Sequence, residues 1–570
     1  MRSSQRSAGR RRGRIDAVLA RNGTDALTAP SFLRLPPFPR SRPRCGAASW
    51  QFVAADLDRL ADQLRQAKVG GCFWGPQPAL DSAQDLLLVP ESPEQALEML
   101  AAAQAAGRVS AAIIVGSFRM GRGSLRDVPD DCDPWHLAAH AHEIWAGAGH
   151  ELALVAGLLD RPLRLFGPGP SGGVADGLNA ALGTALAGSA MVDPFDGGAL
   201  SATDAIALLA DWRTLIDTNR TISAVFGVAR WKRVTVDPLL WDGTGPVRYA
   251  RASQAAMLTA GDAAIAWKSR TPAALLGALD LRGIVPGEIE DGMIRSVGLG
   301  ANCVPPLSVI VDRRGIYFDP SAPSDLETIL AEAEMPPVLL ARAAALRTRI
   351  VAEGISKYGR ALPKALPPRD ARRRVLVTGQ VEDDRSILTG GAGMTNLALL
   401  EAARKLEPDT WIVYKPHPDV EAGHRKGRIA DADALRHADA IDRAAPITAL
   451  IDNVDALHVI TSLAGFEALL RGKEVITHGM PFYAGWGLTR DLRPLPPRRG
   501  RRRTLDELVA GTLILYPRYT DPVTRLPCGP ELVIDRISSN LAKVSSPLIV
   551  IREWQGRLRL LFDRPDYRLP

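Results

Sequence analysis

The chain has 570 residues, which is too long for one ordinary domain and suggests about three or four. Hydrophobic residues make up 46 % of it and charged residues 23 %, as in globular proteins, so most of the chain is expected to bury cores. No stretch approaches the roughly 20 uncharged apolar residues of a membrane-spanning helix. The N-terminus lacks the apolar run of a secretory signal, so we expect a cytoplasmic protein.

The net charge of +7 is concentrated in two runs of arginine. Residues 1–14 hold six arginines and no acid, and residues 498–503 read RRGRRR. Two interpretations fit such runs: solvated segments, or attachment to anionic lipid at the inner face of the inner membrane, where each basic residue contributes about 1 kcal/mol. Aromatic residues are only 5 % of the chain and none is interleaved with either run, so we expect no nucleic-acid binding.

Residues 1–44, rich in arginine, serine and proline, predict a disordered segment. Helix and strand signals alternate over residues 45–200: SAAIIVGSF (110–118) is typical of a buried strand, and residues 142–167 of a strand, a helix and a strand. That alternation predicts an α/β region with a parallel sheet. The five cysteines of the chain are odd in number and scattered, which argues against a disulfide framework and a cysteine-based zinc site.

A second α/β section is predicted for residues 201–365 and a third for residues 366–535, followed by an extension over residues 536–570. The third section has the clearest pattern. RVLVTGQ (374–380) predicts a strand, and TNLALLEAARKL (395–406) a helix with Thr395 as N-cap. One face of that helix is predicted to carry Leu397, Leu400, Ala403 and Leu406.

WIVYKPHP (411–418) and ALHVITS (456–462) predict further strands, and GFEALLRG a helix after the second. Polar motifs follow the ends of three predicted strands: GQVEDD (379–384), KPHP (415–418) and Thr461-Ser462. Open α/β sheets bind ligands at the carboxyl ends of their strands, so we expect these three loops to converge on one site.

The residues in these loops suit a nucleotide phosphate that leaves with negative charge. Lys415 and His417 supply donors, and Ser462 with the first N–H groups of the following helix supplies a dipole-assisted anion site. Glu467, about one turn into that helix, is placed to accept from ribose hydroxyls. The alternative for His417 is a histidine that only caps the end of a strand.

YKPHPDV, SLAGFEALLRGKEVITHGMPFYAGWGLTRD and EDGMIRSVGLG closely resemble the bacterial capsule-synthesis β-Kdo transferases, over about residues 225–536. The resemblance implies an α/β fold of the GT-B type, a pair of Rossmann-type lobes facing across a cleft, here preceded by a degenerate α/β region. It implies CMP-Kdo as donor substrate, a lipid-linked or Kdo-terminated glycan as acceptor, the capsule assembly machinery as partner, and no cofactor or metal.

By the same resemblance, His417 and Ser462 would contact the CMP phosphate, Glu467 would lie by the ribose, and Gln380 near the nucleotide. The family retains anomeric configuration, which implies a carboxylate nucleophile on the first lobe and a covalent sugar adduct.

Glu290-Asp291-Gly292 fits the nucleophile's position, with Asp291 as nucleophile and Glu290 as either its partner or a structural acid; the alternative is a simple Asp-Gly turn. Lys268, Ser269 and Arg295 are further candidates for contact with the acceptor or the donor carboxylate.

Residues 142–167 and 457–479 share a layout that suggests an internal repeat, with Glu151 near the place of Glu467, although any strand-helix-strand unit would look similar. The first copy lacks the His-Pro motif, so it is predicted to be a vestigial half-module. His136 and His140 lie one helical turn apart, which is also compatible with a zinc site. Two other functions stay open: a transferase that uses another nucleotide sugar, and an inactive factor of capsule assembly or export.

Overall fold

The computed structural model describes residues 31–46, 50–116, 126–167, 174–298, 303–357, 359–360, 372–422 and 425–543. They fall into two compact units. Unit 1 comprises the described residues up to 36 and those of 46–192 and 198–213; unit 2 comprises residues 37–45, 193–197 and those from 214 onward. Residues 361–371 and both chain ends lie outside the described residues.

Unit 1 is a parallel α/β sheet of order β3-β2-β1-β4-β5. Its strands are β1 (Leu86–Val89), β2 (Ala112–Val115), β3 (Arg126–Val128), β4 (Glu143–Gly147) and β5 (Leu163–Phe166). Its helices are α1 (Ala54–Ala67), α2 (Pro93–Ala105), α3 (Pro134–His140), α4 (Glu151–Leu158), α5 (Val174–Ala187) and the first part of α6 (Ala202–Asn219). The apolar runs of β1 and β2 are buried on both faces, as a parallel sheet between helices requires. The α/β region predicted from residue 45 is therefore confirmed.

The prediction of disorder through residue 44 is wrong for residues 31–44. Phe32 and Leu33 are buried in unit 1, and Phe38 is buried in unit 2, where its ring meets Trp241. Arg40 pairs with Asp237 at 2.8 Å. Scattered apolar side chains among prolines thus anchor an irregular segment, a pattern that composition alone does not distinguish from disorder.

The strands of unit 2 are β6 (Ile222–Phe226), β7 (Ala263–Ala266), β8 (Gly287–Asp291), β9 (Ser308–Asp312), β10 (Ile355–Ser356), β11 (Gly359–Arg360), β12 (Arg374–Thr378), β13 (Trp411–Lys415), β14 (Ala440–Ile441), β15 (Ala456–Val459), β16 (Glu474–Thr477), β17 (Arg490–Asp491), β18 (Pro517–Thr520) and β19 (Pro527–Cys528). Its helices after α6 are α7 (Arg233–Leu240), α8 (Ala273–Asp280), α9 (Asp325–Glu332), α10 (Pro337–Ala352), α11 (Arg385–Gly390), α12 (Asn396–Leu406), α13 (Pro418–Glu421), α14 (Asp431–Ala434), α15 (Ile447–Asp452), α16 (Leu463–Leu470), α17 (Leu505–Val509) and α18 (Pro530–Ser538).

Strands β10 and β11 form a two-stranded antiparallel sheet of their own. The other strands form two Rossmann-like sheets, so the predicted pair of lobes is confirmed. The first lobe has the order β19-β18-β9-β8-β7-β6, with β6, β7 and β8 parallel and the others antiparallel. The second lobe is all parallel, with the order β14-β13-β12-β15-β16-β17.

One predicted boundary needs correction, because the second lobe does not continue to residue 535. The chain returns to the first lobe, where β18 pairs with β9 and β19 with β18. Tyr519 in β18 is 2 % exposed. Strand pairing over such a sequence separation leaves no local signal in the sequence.

The helix predicted over residues 395–406 is confirmed, and the Oγ of its N-cap Thr395 accepts from the Ala398 N–H. The buried face of this helix is rotated relative to the predicted apolar face. Leu399 and Leu400 are buried with Ala403, whereas Leu406 is exposed, because the helix packs through the i, i+3, i+4 set that begins at Asn396.

The arginine run at residues 498–503 is solvated only in part, because Arg499 and Arg503 are buried while Arg501 and Arg502 are exposed. Arg499 is 1 % exposed and donates to Glu327 of α9 and to the carbonyl oxygens of Pro481 and Ala484. Arg503 donates to the carbonyl oxygen of Leu330. These cations hold the segment after the second sheet against the first lobe. Within the part of the chain that the structure describes, no helix is long and apolar enough to cross a membrane.

Candidate active site

The loops after β12 and β15 are joined through the side chain of Gln380. Its Oε1 accepts from the N–H groups of Ile460 and Thr461 at 3.2 and 2.9 Å, and its Nε2 donates to Thr461 Oγ1 at 3.1 Å. Asn396 accepts from the Gln380 N–H at 2.8 Å. Because β12 and β15 are parallel neighbours, these loops lie at the same edge of the sheet. The geometry therefore makes Gln380 a bridge between two loops of the site.

His417 lies just beyond β13, and Lys415 is the last residue of that strand. Nδ1 of His417 accepts from the Asp419 N–H at 3.1 Å and caps α13, so a neutral ring carries its proton on Nε2. Burial lowers the pKa of His417, with the charge of Asp419 opposing the shift. His417 thus caps a helix, in keeping with the alternative that the sequence left open. Its Nε2–H is an uncharged hydrogen-bond donor.

Ser462 begins α16, and its Oγ accepts from the Ala464 N–H at 3.2 Å. The Tyr483 hydroxyl donates to the carbonyl oxygen of Ser462 at 2.5 Å. A Cβ on Gly465 would lie 2.1 Å from that hydroxyl, so only glycine fits there. Tyr483 belongs to the PFYAGWG segment, whose residues 481–486 are buried, and it fixes the start of α16.

Glu467 is 8 % exposed, and its Oε1 accepts from the Lys357 N–H at 3.2 Å. Burial raises the pKa of Glu467, and this backbone bond and the charge of Lys357 oppose the rise. The residue predicted to lie by a ribose therefore also holds the β10–β11 turn against α16.

On the first lobe, Asp291 ends β8 between two cations. Its Oδ1 accepts from Lys232 Nζ at 3.0 Å and its Oδ2 from Arg295 Nε at 2.7 Å. Burial acts to raise the pKa of Asp291, but Lys232 and Arg295 outweigh it and the pKa lies below its usual value. Asp291 is therefore a carboxylate at neutral pH and more than a turn residue. Arg295, for which substrate contact stays a prediction, is 3 % exposed and orients Asp291.

Glu290 differs from Asp291 in protonation. Burial, with the neighbouring charge of Asp291, raises the pKa of Glu290 to about 7, although Lys232 opposes the rise. Its Oε1 accepts from the Asp291 N–H at 3.0 Å. Adjacent carboxyl groups whose pKa values are pushed apart are the usual arrangement of an acid–base group beside an ionised nucleophile.

Lys268 and Ser269 lie in a single 3₁₀ turn after β7. Lys268 Nζ lies 3.5 Å from Glu288 Oε2, and the guanidinium of Arg385, from the second lobe, also binds the Glu288 carboxylate. Glu288 is 1 % exposed. Lys268 is thus engaged with Glu288, and Ser269 is exposed on the turn beside it.

The carboxyl groups of the first lobe and the loops of the second lobe have Tyr317 as a common neighbour. Burial raises the pKa of the Tyr317 hydroxyl; Lys357 opposes that rise, whereas Glu290, Asp291 and Asp384 add to it. Tyr317 also stacks edge-on against Phe482 of the second lobe at 5.5 Å. The carboxyl groups of the first lobe and the loops of the second therefore belong to one site in unit 2.

Sequence reasoning missed four residues of this site: Lys232, Tyr317, Lys357 and Arg385. Lys232 had a usable signal, because RWK follows the end of β6 as Lys268 follows the end of β7. Lys357 lies in a short hairpin, and its role depends on contacts with distant segments. Arg385 directly follows the GQVEDD motif but acts on the other lobe.

Unit 1 repeats the strand order of the second lobe, with β4-α4-β5 at the place of β15-α16-β16. His150 caps α4 three residues after β4, as Ser462 caps α16 three residues after β15. The predicted match of Glu151 to Glu467 is wrong, since Glu151 begins its helix, where it binds Arg34 at 2.8 Å, and Glu467 lies one turn inside.

Unit 1 and the second lobe differ in charge at the sheet edge from which these loops extend. Glu91 follows β1 as Gln380 follows β12, and a Cβ on Gly147 would lie 2.6 Å from the carboxyl carbon of Glu91.

The rings of His136 and His140 stack at 4.3 Å, and one nitrogen of each binds a backbone carbonyl oxygen. Among the described residues, no group of three or more potential ligands could hold a metal ion.

Residues 267–361 and 341–519 match the family model described as capsule polysaccharide biosynthesis protein. The capsule polysaccharide modification protein LipA of Neisseria meningitidis is 41 % identical over 339 residues, which are 59 % of this chain and 48 % of LipA. The lipopolysaccharide-processing protein LpsZ of Rhizobium meliloti is 50 % identical over 237 residues, which are 40 % of this chain and 53 % of LpsZ. The chain spans about half the length of these curated relatives.

Among solved structures, the Thermosulfurimonas dismutans KpsC β-Kdo 2,4 transferase is 33 % identical, with a TM-score of 0.48. The match covers 55 % of this chain and 98 % of that one. The KpsC β-Kdo 2,7 transferase of the same organism is 32 % identical, with a TM-score of 0.46, over 56 % of this chain and 99 % of that one.

Proposed function

Because the chain belongs to the family of capsule polysaccharide biosynthesis proteins, we propose that it is a retaining glycosyltransferase that transfers Kdo from CMP-Kdo to a lipid-linked or Kdo-terminated acceptor. The observation that carries the proposal is Asp291, a carboxylate held between Lys232 and Arg295 beside Glu290, whose pKa is raised to about 7. The names of the KpsC structures supply the sugar, and the resemblance of the motifs supplies the donor nucleotide.

In the first half of the proposed reaction, the Asp291 carboxylate attacks the anomeric carbon while the bond from that carbon to the CMP phosphate oxygen breaks. The departing phosphate keeps the electron pair of that bond. The His417 Nε2–H and the first N–H groups of α16 would receive the charge, because both lie at the carboxyl ends of β13 and β15, the strands that flank β12. Lys232 and Arg295 orient the carboxylate and keep it ionised.

In the second half, an acceptor hydroxyl attacks the same carbon and releases Asp291. Two inversions retain the configuration of the donor. Glu290 is suited to take the hydroxyl proton, because a group with a pKa of about 7 exchanges protons readily at neutral pH. No metal takes part in the proposed steps, and the cationic and N–H donors of the chain bear the phosphate charge.

The proposed acceptor implies that the protein acts near a membrane surface, at the cytoplasmic face of the inner membrane, together with the capsule assembly machinery. Since Arg499 and Arg503 bind the first lobe, attachment to lipid through the arginine runs would depend on the exposed Arg501 and Arg502 and on residues 1–14, which lie outside the described residues.

The test measures product formation from CMP-Kdo with a synthetic Kdo-terminated lipid, for the wild type and for Asp291→Ala and His417→Ala. Mass spectrometry of protein incubated with donor alone would show a Kdo adduct on the peptide that contains Asp291. Loss of turnover in both variants, with an adduct absent from Asp291→Ala, is expected. Turnover with UDP- or GDP-sugars and none with CMP-Kdo would identify another nucleotide sugar as the donor. A folded wild type that binds no nucleotide would favour the inactive assembly factor over a transferase.

A further inference from the structure

Three of the four most exposed large apolar side chains among the described residues lie together on the first lobe. Leu281, Met257 and Val285 are 91 %, 78 % and 75 % exposed, and we call them the apolar patch. Arg282 joins the two segments that carry them, because its guanidinium donates at 2.7 and 3.1 Å to the carbonyl oxygens on either side of Met257. Single exposed apolar residues are common, whereas a cluster of them indicates an interaction surface.

The apolar patch stays on the surface because the core beneath it is already filled. Ala255, Leu279 and Ile284, from the same two segments, are buried in that core. The two segments also touch directly, since a Cβ on Gly283 would lie 3.7 Å from the Cβ of Ala260. The fold therefore presents the patch to solvent in a fixed arrangement.

Helix α8 extends this surface with small residues. Ala273, Ala274, Gly277 and Ala278 are exposed on it, and its first charged residue is Asp280 at its C-terminal end. Leu281 of the patch follows directly, so the exposed face of α8 and the patch are continuous along the chain. Small side chains let such a face approach a flat partner closely.

Arginines surround this surface. Arg251, Arg270 and Arg282 are exposed, and within the described part of the chain none of them forms an ion pair. Exposed apolar side chains beside such cations suit anionic lipid, because the chains enter the headgroup region while the cations meet phosphates. Protein interfaces instead concentrate aromatic residues at their centres, and residues 251–262 and 270–285 contain none. The chemistry of the surface therefore favours a lipid over a protein partner.

We propose that the apolar patch and the exposed face of α8 attach the protein to an anionic lipid bilayer. The inference rests on the proposed function and adds the surface from which a lipid-linked acceptor is reached. Val285 lies just before the amino end of β8, whereas Glu290 and Asp291 lie at its carboxyl end. Attachment through the patch thus leaves the site open to a nucleotide sugar from solution, while the acceptor extends from the same bilayer.

The experiment sediments the full chain with vesicles of phosphatidylcholine and phosphatidylglycerol, for the wild type, the double variant Met257→Gln/Leu281→Gln and the control Val338→Gln. Val338 is 82 % exposed on α10 and lies outside the patch. The double variant should partition to vesicles at least about tenfold more weakly, because two apolar side chains no longer leave water, and Val338→Gln should match the wild type. The binding that survives about 0.5 M salt, which screens the arginines, should be lost in the double variant.

Transfer of Kdo is measured in parallel, with a water-soluble acceptor and with the same sugar on a lipid in the vesicles. The double variant should turn over the soluble acceptor within about twofold of the wild type and lose turnover on the vesicles. Its Tm should be unchanged, since both side chains are exposed.

Equal vesicle binding by the wild type and the double variant would overturn the inference, and turnover of the soluble acceptor would leave the proposed function standing. Self-association that depends on the patch, in sedimentation velocity and without vesicle binding, would assign the patch to a second copy of the chain and also overturn it. Vesicle binding that depends on the patch, by a wild type that transfers no Kdo to either acceptor, would uphold the lipid surface and remove only the proposed function.

Discussion

Lys232 Nζ lies 3.0 Å from Asp291 Oδ1 and 3.3 Å from the centre of the Trp267 ring. Burial lowers the pKa of Lys232, but the charges of Asp291 and Glu290 oppose the shift. The aromatic face and the carboxylate thus hold a buried cation in one place. The ionisation of Asp291 depends on that cation.

Lys232→Met should raise the pKa of Asp291, because it removes one of the two cations that lower it. The carboxylate form would then be lost at higher pH, so the acid limb of the pH–rate profile should move upward by about one unit. The rate at neutral pH should also fall, since one carboxylate oxygen loses its partner. An acid limb unchanged in Lys232→Met, with the surface variant Lys405→Met for comparison, would show that Asp291 is not the group that titrates.

Glu290→Gln should stabilise the protein at neutral and alkaline pH. The folded-state pKa of Glu290 is raised to about 7 by burial, so the folded protein holds this proton more tightly than the unfolded chain does. The stability that this tighter proton binding contributes is fully present below pH ~4.5 and is lost as the pH rises to about 7. Glutamine imitates the protonated form, so its advantage should appear between these values and reach of the order of 1–3 °C in Tm. Equal Tm differences at pH 4 and pH 8 would contradict the assigned shift.

Gly465→Ala should disturb the start of α16, because the new Cβ would meet the Tyr483 hydroxyl. We expect a loss of about 1–3 kcal/mol in the free energy of unfolding and weaker CMP binding, measured by denaturant titration and calorimetry. Gly277→Ala is the matched control, since a Cβ at that position in α8 meets nothing within 4 Å. It should be neutral or stabilise by about 0.5–1 kcal/mol. A Gly465→Ala variant as stable as Gly277→Ala would refute the contact.

Arg499→Gln should destabilise unit 2 by about 3–5 kcal/mol, because it leaves Glu327 buried without one of its cations. Arg502→Gln, in the same run but exposed, should change stability by less than about 0.5 kcal/mol. Vesicle sedimentation gives an independent readout. Binding to anionic vesicles should be the same for both variants while they are folded, whereas a lipid-facing run would make Arg502→Gln the weaker binder.

CMP should bind with a stoichiometry of one per chain, at the second lobe of unit 2. His417→Ala should weaken that binding by about tenfold to a hundredfold, since it removes the Nε2–H donor, and His150→Ala in unit 1 should leave it within about twofold. The carboxylate of Glu91 at the edge of the unit 1 sheet repels a phosphate there. Two equivalent CMP sites, or loss of binding in His150→Ala, would contradict this assignment.

Local patterns in the sequence were enough to predict the parallel sheets, the helix over residues 395–406 and the convergence of the loops that contain Gln380, His417 and Ser462. Each of these depends on periodicity or on the shared edge of parallel strands. The different protonation of Glu290 and Asp291 depends in part on Lys232, which lies 59 residues before Asp291. Lys268 is engaged by Glu288 of the next strand along the chain. Arg499 was misjudged because its charge predicted exposure while Glu327 buries it.

The return of β18 and β19 to the first sheet has a consequence for synthesis on the ribosome. The strands of the second sheet, β12 to β17, are all translated before residue 517, so that sheet has its whole strand set while the first still lacks two members. Apolar positions of β9 that pair with β18 would stay uncovered during that interval. A stalled nascent chain that ends near residue 510 should therefore resist protease over the second sheet and be cleaved within the first.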